Sequence, residues 1–223
     1  MNSVKTILKL FLTLSTPIIL SLISVRIVMS PTFLSLEYNR DGFPDDRYGF
    51  TLEERLVHSQ EVLDYLINNR EQAFLLNMTF ETGERLFTNS EVRHMEDVRF
   101  LTYTAFSLLL FLLCLTTIIF IYSRFNQKLL PTLLQGVFQG SLLTLGLIGT
   151  ILGFALIAWN SFFDGFHMLL FEAGTWRFSH SDTLIRLFPE QFWFDAALVT
   201  GILTSLGAIM LLLVSKIVLE RQK

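Results

Sequence analysis

The side chains best able to do chemistry in this sequence are two histidines at the edges of apolar runs. His94 lies in "SEVRHMEDVRF", residues 90–100, and Asp97 follows it by three positions. Residues three apart share a face of a helix, and a carboxylate beside an imidazole orients the ring and favours its charged form. His167 lies in the aromatic stretch "FFDGFHMLLF", residues 162–171. His94, oriented by Asp97, and His167 could therefore act as an acid–base pair, an interpretation that a separation of their rings far beyond about 10 Å would contradict.

Other readings of these residues remain open at this point. Taken singly, each histidine is also consistent with a polar residue at a membrane interface. The charges around His94 are likewise consistent with the solvated flank of a span. The sequence has no G-x-S-x-G elbow and no H-E-x-x-H pair, so it offers no evident nucleophile of its own. Charges within spans mark ion pathways, but the four apolar runs contain only two, Lys9 and Arg26, which lie near the two ends of the first run. Ion-coupled transport is therefore disfavoured.

The composition indicates a membrane protein. Hydrophobic residues make up 52% of the 223 positions, and charged residues only 17%, with a mean hydropathy of +0.51. This apolar fraction exceeds that of ordinary soluble domains. A net charge of −3 gives no basic surface for nucleic acid. The single cysteine, Cys114, lies in an apolar run and can form no internal disulfide.

Four apolar runs are long enough to span a bilayer, which needs about 20 residues. They cover approximately residues 7–28, 100–122, 133–159 and 196–215. The predicted fold is an all-α polytopic membrane protein with four transmembrane helices. A large extracytoplasmic loop lies between the first and second helices, and an interfacial aromatic segment between the third and fourth. The predicted divisions are a first transmembrane helix (1–29), an extracytoplasmic domain (30–98) and a three-helix membrane region (99–223) with an outer interfacial segment (160–195).

The lysines predict the orientation in the membrane. All five fall in the N-terminal tail, the 123–131 loop or the C-terminal end: Lys5, Lys9, Lys128, Lys216 and Lys223. Four spans place these segments on one side, which the positive-inside rule assigns to the cytoplasm. The 30–98 loop, with fourteen acidic residues against six arginines, and all four histidines then lie outside.

Local patterns predict how the elements begin and pack. Thr88 with Glu91 has the spacing of a capping box, and we expect the helix that it starts to continue through His94 into the second span. A second box at Thr51 starts a helix in the loop. Alternating apolar residues over 74–80, followed by Thr82-Gly83, predict a short hairpin. Small residues four apart, at 136 and 140 and at 149 and 153, predict close helix packing.

Three stretches carry a resemblance to a known family. "RHMEDV", "FFDGFHMLLF" and "TWRFSHSDTLIRLFPEQFWFD" resemble the lipoprotein intramolecular transacylase (Lit) family of bacterial integral membrane proteins, and the similarity covers nearly the whole chain. It implies transfer of an acyl chain within a lipoprotein, from the sn-2 glyceryl ester to the α-amino group of the lipidated N-terminal cysteine. The product is a lyso-form lipoprotein. The resemblance places the two functional histidines at His94 and His167. It also implies that the protein lies in the bacterial cell membrane and uses no cofactor.

The resemblance accounts for the missing nucleophile, because the substrate's own α-amino group attacks the ester. One histidine would take the amine proton, and the other would stabilise the oxyanion or protonate the departing glyceryl oxygen. We expect His167 to be the base and His94 the second group. The predicted supporting residues are Arg93, Asp97, Asn160, Trp176 and Asp182. The predicted partners are diacylated bacterial lipoproteins as substrate and membrane lipids.

Two other classes of function remain open. One is a metal-dependent membrane hydrolase with His94, Asp97 and His167 as ligands, residue types that suit zinc. The other is a non-enzymatic membrane scaffold whose acidic outer domain binds a partner protein.

Overall fold

The computed structural model describes residues 2–68 and 70–221, and the regular secondary structure of this part is all α-helical, as predicted. The described helices are α1 (Asn2–Val28), α2 (Pro31–Tyr38), α3 (Leu52–Ile67), α4 (Gln72–Leu76), α5 (Asn89–Phe125), α6 (Leu130–Ile157), α7 (Trp159–Leu170), α8 (Thr183–Leu187) and α9 (Glu190–Glu220). Lys223, one of the lysines behind the predicted orientation, lies outside the described residues.

Four of these helices, α1, α5, α6 and α9, are long and apolar enough to cross a membrane. They contain the first, second and fourth predicted runs and the third as far as residue 157, and α5 continues unbroken from the capping box through His94 into the second run, as predicted. At 1.5 Å per residue, the 37 residues of α5 extend for about 55 Å, well beyond the hydrocarbon thickness of about 30 Å. The charged N-terminal turns of α5 therefore project beyond its apolar run. α6 ends at Ile157 and α7 starts at Trp159, close to the predicted end of the third run.

The chain divides into two compact units, of which the first comprises residues 1–26, 105–156 and 198–223. In this unit α1 packs closely on α6, since a Cβ added at Gly136 would lie 2.8 Å from the Lys9 carbonyl oxygen. α1 also contacts α9, where Thr204 Oγ1 donates to Ser24 Oγ at 3.0 Å. The predicted packing at 136 and 140 is confirmed. The prediction for 149 and 153 is wrong, because no described atom lies within 4 Å of a Cβ built at either glycine.

The second unit comprises residues 27–104 and 157–197. Its core contains buried aliphatic and aromatic side chains from α2, α3, α5 and α8. Tyr38 lies at the centre of this core, 2% exposed, and its hydroxyl shares a hydrogen bond of 2.6 Å with Ser59 and donates to the Leu187 carbonyl. These bonds join α2, α3 and the end of α8 into one framework.

Arginine side chains hold the segment between α2 and α3. Arg186 forms a 2.9 Å ion pair with Asp46, and both side chains are nearly buried. The Arg186 guanidinium also lies 3.8 Å from the centroid of the Phe50 ring. Arg55 donates to the carbonyls of Pro44 at 2.6 Å and Arg186 at 3.0 Å. The segment is thereby fixed to α3 and α8 without regular structure of its own.

The predicted hairpin is only partly correct. Residues 72–76 form α4, because backbone hydrogen bonds such as Asn77 N–H to the Ala73 carbonyl close helical turns there instead of leaving the segment extended. The predicted turn does form. Phe80 N–H donates to the Glu84 carbonyl at 2.9 Å, Leu86 N–H donates to the Met78 carbonyl at 2.8 Å, and Gly83 adopts a φ of 85°. A positive φ of this kind is readily adopted by glycine.

Candidate active site

The start of α5 fixes the position of His94 along the chain. Thr88 N–H donates to Glu91 Oε2 at 2.7 Å, and Glu91 N–H donates back to Thr88 Oγ1 at 3.3 Å. These reciprocal bonds confirm the predicted capping box. His94 follows in the second turn of the helix and is 7% exposed.

Glu91 also connects α5 to a distant part of the chain. Its side chain is 1% exposed, and its Oε1 accepts a hydrogen bond of 2.7 Å from the backbone N–H of Leu184 in α8. Beside it, the Thr183 hydroxyl donates to the Leu86 carbonyl. The first turns of α5 and α8 are therefore held together. The capping-box pattern revealed Glu91 as a helix cap, but no local pattern pointed to its bond with Leu184.

His167 lies on α7 with its ring half-buried. Its Nδ1 is 2.8 Å from the Phe163 carbonyl oxygen. Because a carbonyl oxygen only accepts hydrogen bonds, Nδ1 carries the proton in the neutral ring, and Nε2 keeps its lone pair. The Phe163 ring also packs on the imidazole, with centroids 4.1 Å apart. A ring held in this way presents a basic nitrogen to a substrate.

The two imidazoles lie together inside the second unit. Their centroids are 6.3 Å apart and their planes 27° apart, a distance at which both rings can reach one substrate. Phe171 packs against both, with its centroid 5.0 Å from His94 and 5.7 Å from His167. Phe178 lies 5.5 Å from His94, and Trp176 lies 4.7 Å from His167. We name these five side chains the histidine cage. The contacts of Phe171 and Phe178 with His94 are long-range, and the sequence alone did not predict them.

The electrostatics of the cage favour a neutral base at His167. Burial lowers the pKa of His167 below the ordinary imidazole value, and the Phe163 carbonyl and the Asp164 carboxylate offset part of this effect. The ring is therefore unprotonated at neutral pH, where it can accept a proton from an amine. Two polar atoms of the cage are buried and have no hydrogen-bond partner among the described residues, namely Nδ1 of His94 and Nε1 of Trp176.

The structure separates the predicted supporting residues. Trp176 is 7% exposed and contacts His167. Asp182 lies at the N-terminus of α8 and accepts a 2.8 Å hydrogen bond from Ser179 N–H. Arg93, Asp97 and Asn160 are exposed, and within the described chain none of these three forms a hydrogen bond with either histidine.

The predicted orientation of His94 by Asp97 is wrong at Nδ1, which has no hydrogen-bond partner in the part of the chain that the structure describes. Spacing of three residues places the two side chains on neighbouring positions of α5. However, His94 turns into the cage while the Asp97 carboxylate remains in the exposed layer. The exposed position of Asp97 also bears on the metal-dependent hydrolase, for which His94, Asp97 and His167 were the predicted ligands. Across residues 2–68 and 70–221, no group of three or more His, Cys, Asp or Glu side chains is placed to hold a metal ion, so His94, Asp97 and His167 do not converge as ligands.

The structure therefore combines an all-α fold, four candidate membrane-spanning helices and a pair of stacked imidazoles. A model of the family "Lipoprotein intramolecular transacylase Lit" matches residues 9–193 of this chain. The match covers well over half of the sequence, and the chain belongs to this family.

Similar proteins agree with this assignment. The chain is 34% identical over 211 residues to an uncharacterized protein of Aquifex aeolicus (strain VF5), with 93% of each chain covered. Its fold is similar to that of the membrane-integral lipoprotein intramolecular transacylase Lit from Bacillus cereus, with a TM-score of 0.80, 18% identity, and 100% and 99% of the two chains covered. A variant of that protein with a histidine replaced by arginine gives a TM-score of 0.73 at 16% identity, with 99% and 94% covered.

Proposed function

We propose that this chain catalyses intramolecular acyl transfer in bacterial lipoproteins. It moves the sn-2 acyl chain of diacylglyceryl-cysteine to the α-amino group of the same cysteine and gives a lyso-form lipoprotein. Membership of the transacylase family assigns the chain to the acyltransferases. The observation that carries the proposal is the pair of imidazoles 6.3 Å apart in an aromatic cage, because an attack by the substrate's own amine requires acid–base groups and no protein nucleophile.

The reaction balances with these two histidines. The amine nitrogen attacks the ester carbonyl carbon, and His167 Nε2 takes the proton that the nitrogen loses. When the tetrahedral intermediate collapses, the bond between the carbonyl carbon and the glyceryl oxygen breaks, and that oxygen receives a proton. His94, on the other side of the stacked pair, stabilises the oxyanion or passes to the glyceryl oxygen the proton that His167 took from the amine, so that both rings end neutral. No water is consumed, so exclusion of water by Phe171 and Phe178 favours transfer over hydrolysis.

Proximity supplies much of the remaining rate enhancement. The amine and the ester belong to one lipidated cysteine, so binding the substrate brings both into reach without a second encounter. Well-oriented internal reactions gain up to about 7–11 kcal/mol from this effect. Apolar side chains beside His167, including Phe166, Leu169 and Leu170, are partly or largely exposed. We assign them to contact with the acyl chains of the substrate and the surrounding lipid.

The orientation in the membrane is part of the proposal. Both termini are cytoplasmic and the active site lies at the outer face of the cell membrane, with 30–98 as the extracytoplasmic domain between the first helix (1–29) and the membrane region (99–223). The placement of the lysines supports this orientation. It also puts the histidine cage on the side of the membrane that carries mature lipoproteins.

The remaining supporting residues have indirect roles in the proposal. Asp182 shapes the segment that carries Trp176 and Phe178, through its bond to Ser179 N–H. Arg93, Asp97 and Asn160 are exposed and would meet the headgroup region or the peptide that follows the lipidated cysteine.

Mass spectrometry of lipopeptides tests the proposed function. When the chain is expressed in a bacterium that makes diacylated lipoproteins, N-acyl, lyso-glyceryl cysteine should appear at their N-termini. The absence of this product, although the protein is well inserted in the membrane, would refute the proposal. Loss of activity in a chelator, restored by zinc, would instead favour the metal-dependent hydrolase. A stoichiometric protein partner, retained when both histidines are replaced by alanine, would favour the scaffold.

A further inference from the structure

Trp176 carries a buried hydrogen-bond donor that no described residue accepts. The residue is 7% exposed, and its indole Nε1 is buried with no hydrogen-bond partner among the described residues. Buried indole N–H groups usually find a partner, and leaving one unpaired destabilises the folded state. Such a group in a native structure calls for an explanation, and a bound substrate is one.

The surroundings of Trp176 explain why an indole matters there. The cage already contains two phenylalanines, Phe171 and Phe178, that contact histidine rings. A further phenylalanine would provide the same apolar wall. What tryptophan adds beside His167 is a directed N–H donor.

The geometry places the indole of Trp176 directly beside the proposed base. The Trp176 and His167 rings lie 4.7 Å apart with their planes 32° apart, and the N–H of one and the Nε2 lone pair of the other lie in their ring planes. In a near-attack arrangement the reacting atoms are about 3–3.5 Å apart, so the attacking nitrogen and the carbonyl oxygen are separated by a comparable distance. The two neighbouring rings can therefore contact both atoms at the same time, His167 the attacking nitrogen and Trp176 the carbonyl oxygen.

We propose that Trp176 Nε1–H donates a hydrogen bond to the ester carbonyl oxygen of the substrate and to the oxyanion that develops on it. This inference rests on the proposed acyl transfer. It divides the chemistry among three side chains. His167 takes the amine proton, Trp176 stabilises the oxyanion, and His94 serves the departing glyceryl oxygen. It thereby removes one of the two roles left open for His94.

The segment that carries Trp176 allows the donor to be uncovered. Trp176 lies between α7 and α8, outside regular helix. It is held from outside by Arg177, whose guanidinium lies 5.0 Å from the indole centroid and pairs with Asp164 at 3.3 Å. This pair is exposed on both sides and is worth little in free energy. A shift of this segment on substrate binding therefore faces a low barrier from the ion pair.

The decisive variant replaces only the N–H. Trp176 is exchanged for 3-benzothienylalanine by amber suppression, which substitutes sulfur for N–H in a side chain of nearly the same shape. Loss of one oxyanion donor commonly lowers kcat by about 100-fold or more, and we expect a loss of this size in kcat with little change in KM. Trp176→Phe should show at least the same loss. Trp159→Phe, a second tryptophan in the same unit, should keep near wild-type kcat.

A readout without turnover separates donation from mere packing. An N-acetylated diacylglyceryl-cysteine peptide with a ¹³C-labelled sn-2 carbonyl cannot react, because its amine is blocked. On wild-type protein, the infrared stretch of this carbonyl should shift to lower frequency, and the shift should disappear with 3-benzothienylalanine at position 176.

The outcomes distinguish the two proposals. If wild-type protein forms no N-acyl product from an unblocked substrate, the proposed function fails. If wild-type protein forms product and the 3-benzothienylalanine variant is as fast, or keeps the infrared shift, then only the role of Trp176 is overturned.

Discussion

Replacement of His167 by asparagine isolates the loss of the catalytic base. The asparagine side chain has an amide N–H close to the position of imidazole Nδ1, so it can keep the 2.8 Å bond to the Phe163 carbonyl. It has no basic nitrogen in place of Nε2. A positioned general base contributes about 10²–10⁴-fold, which corresponds to about 3–5 kcal/mol in activation free energy at 1.36 kcal/mol per decade. We expect a loss of this size in single-turnover rate.

The assay follows conversion of a synthetic diacylglyceryl-cysteine peptide by purified protein in nanodiscs, quantified by mass spectrometry. His167→Phe provides a second test, because it keeps an aromatic ring in the cage and should lose as much activity. His180→Asn is the matched control. His180 is exposed and has no role in the account, so its rate should stay near that of wild-type protein. A His167→Asn rate within tenfold of wild type, in folded protein, would refute the assignment of His167 as base.

Three further predictions follow from the same geometry. The transfer rate should fall in inverse proportion to the proton concentration below the substrate amine's pKa of about 7.7–8.0, because only the unprotonated amine attacks. It should fall more steeply only below about pH 6.5, because the lowered pKa of His167 keeps its ring neutral above that pH; a steeper limb between pH 7 and 8 would contradict this. Gly136→Ala should cost about 1–3 kcal/mol of unfolding free energy, since its Cβ would lie 2.8 Å from the Lys9 carbonyl oxygen. Gly146→Ala, with no described atom within 4 Å, is the control, and equal thermal shifts in detergent would be evidence against the packing argument. Glu91→Ala should cost about 2–4 kcal/mol in the same measurement, as a lost cap plus an unpaired Leu184 N–H. Glu54→Ala, which breaks the exposed capping box of Thr51 and Glu54 at the start of α3, should lower the unfolding free energy by less than Glu91→Ala does. Equal decreases for the two variants would show that the bond to Leu184 contributes nothing.

The long elements of this fold could be predicted because their signals are local. Spans of about 20 apolar residues and a Thr-x-x-Glu capping box determined where α5 starts and that it continues through His94. The end of α6 at Ile157 likewise falls within two residues of the predicted end of the third run, residue 159. Such features depend on composition and spacing within one segment, which the sequence displays directly.

The contacts of the site depend on distant segments, and here prediction was incomplete. His94 and His167 were expected to meet on the basis of topology and family resemblance. Nothing local indicated that Phe178 would pack on one ring and Trp176 on the other, or that Glu91 would accept a bond from Leu184. The Asp97 prediction shows the limit of helical spacing. Spacing establishes that two residues are neighbours on a helix, but the packing of other segments decides which one is buried.

A crossover experiment tests the central claim most directly. Two substrates are mixed with purified protein, one with a deuterated sn-2 acyl chain on an unlabelled peptide and the other with an unlabelled acyl chain on an isotopically heavy peptide. Acyl transfer within one lipidated cysteine, promoted by His94 and His167, predicts only the two N-acyl products in which chain and peptide keep their original pairing. Products that combine the deuterated chain with the heavy peptide would contradict the account, because they require transfer between molecules.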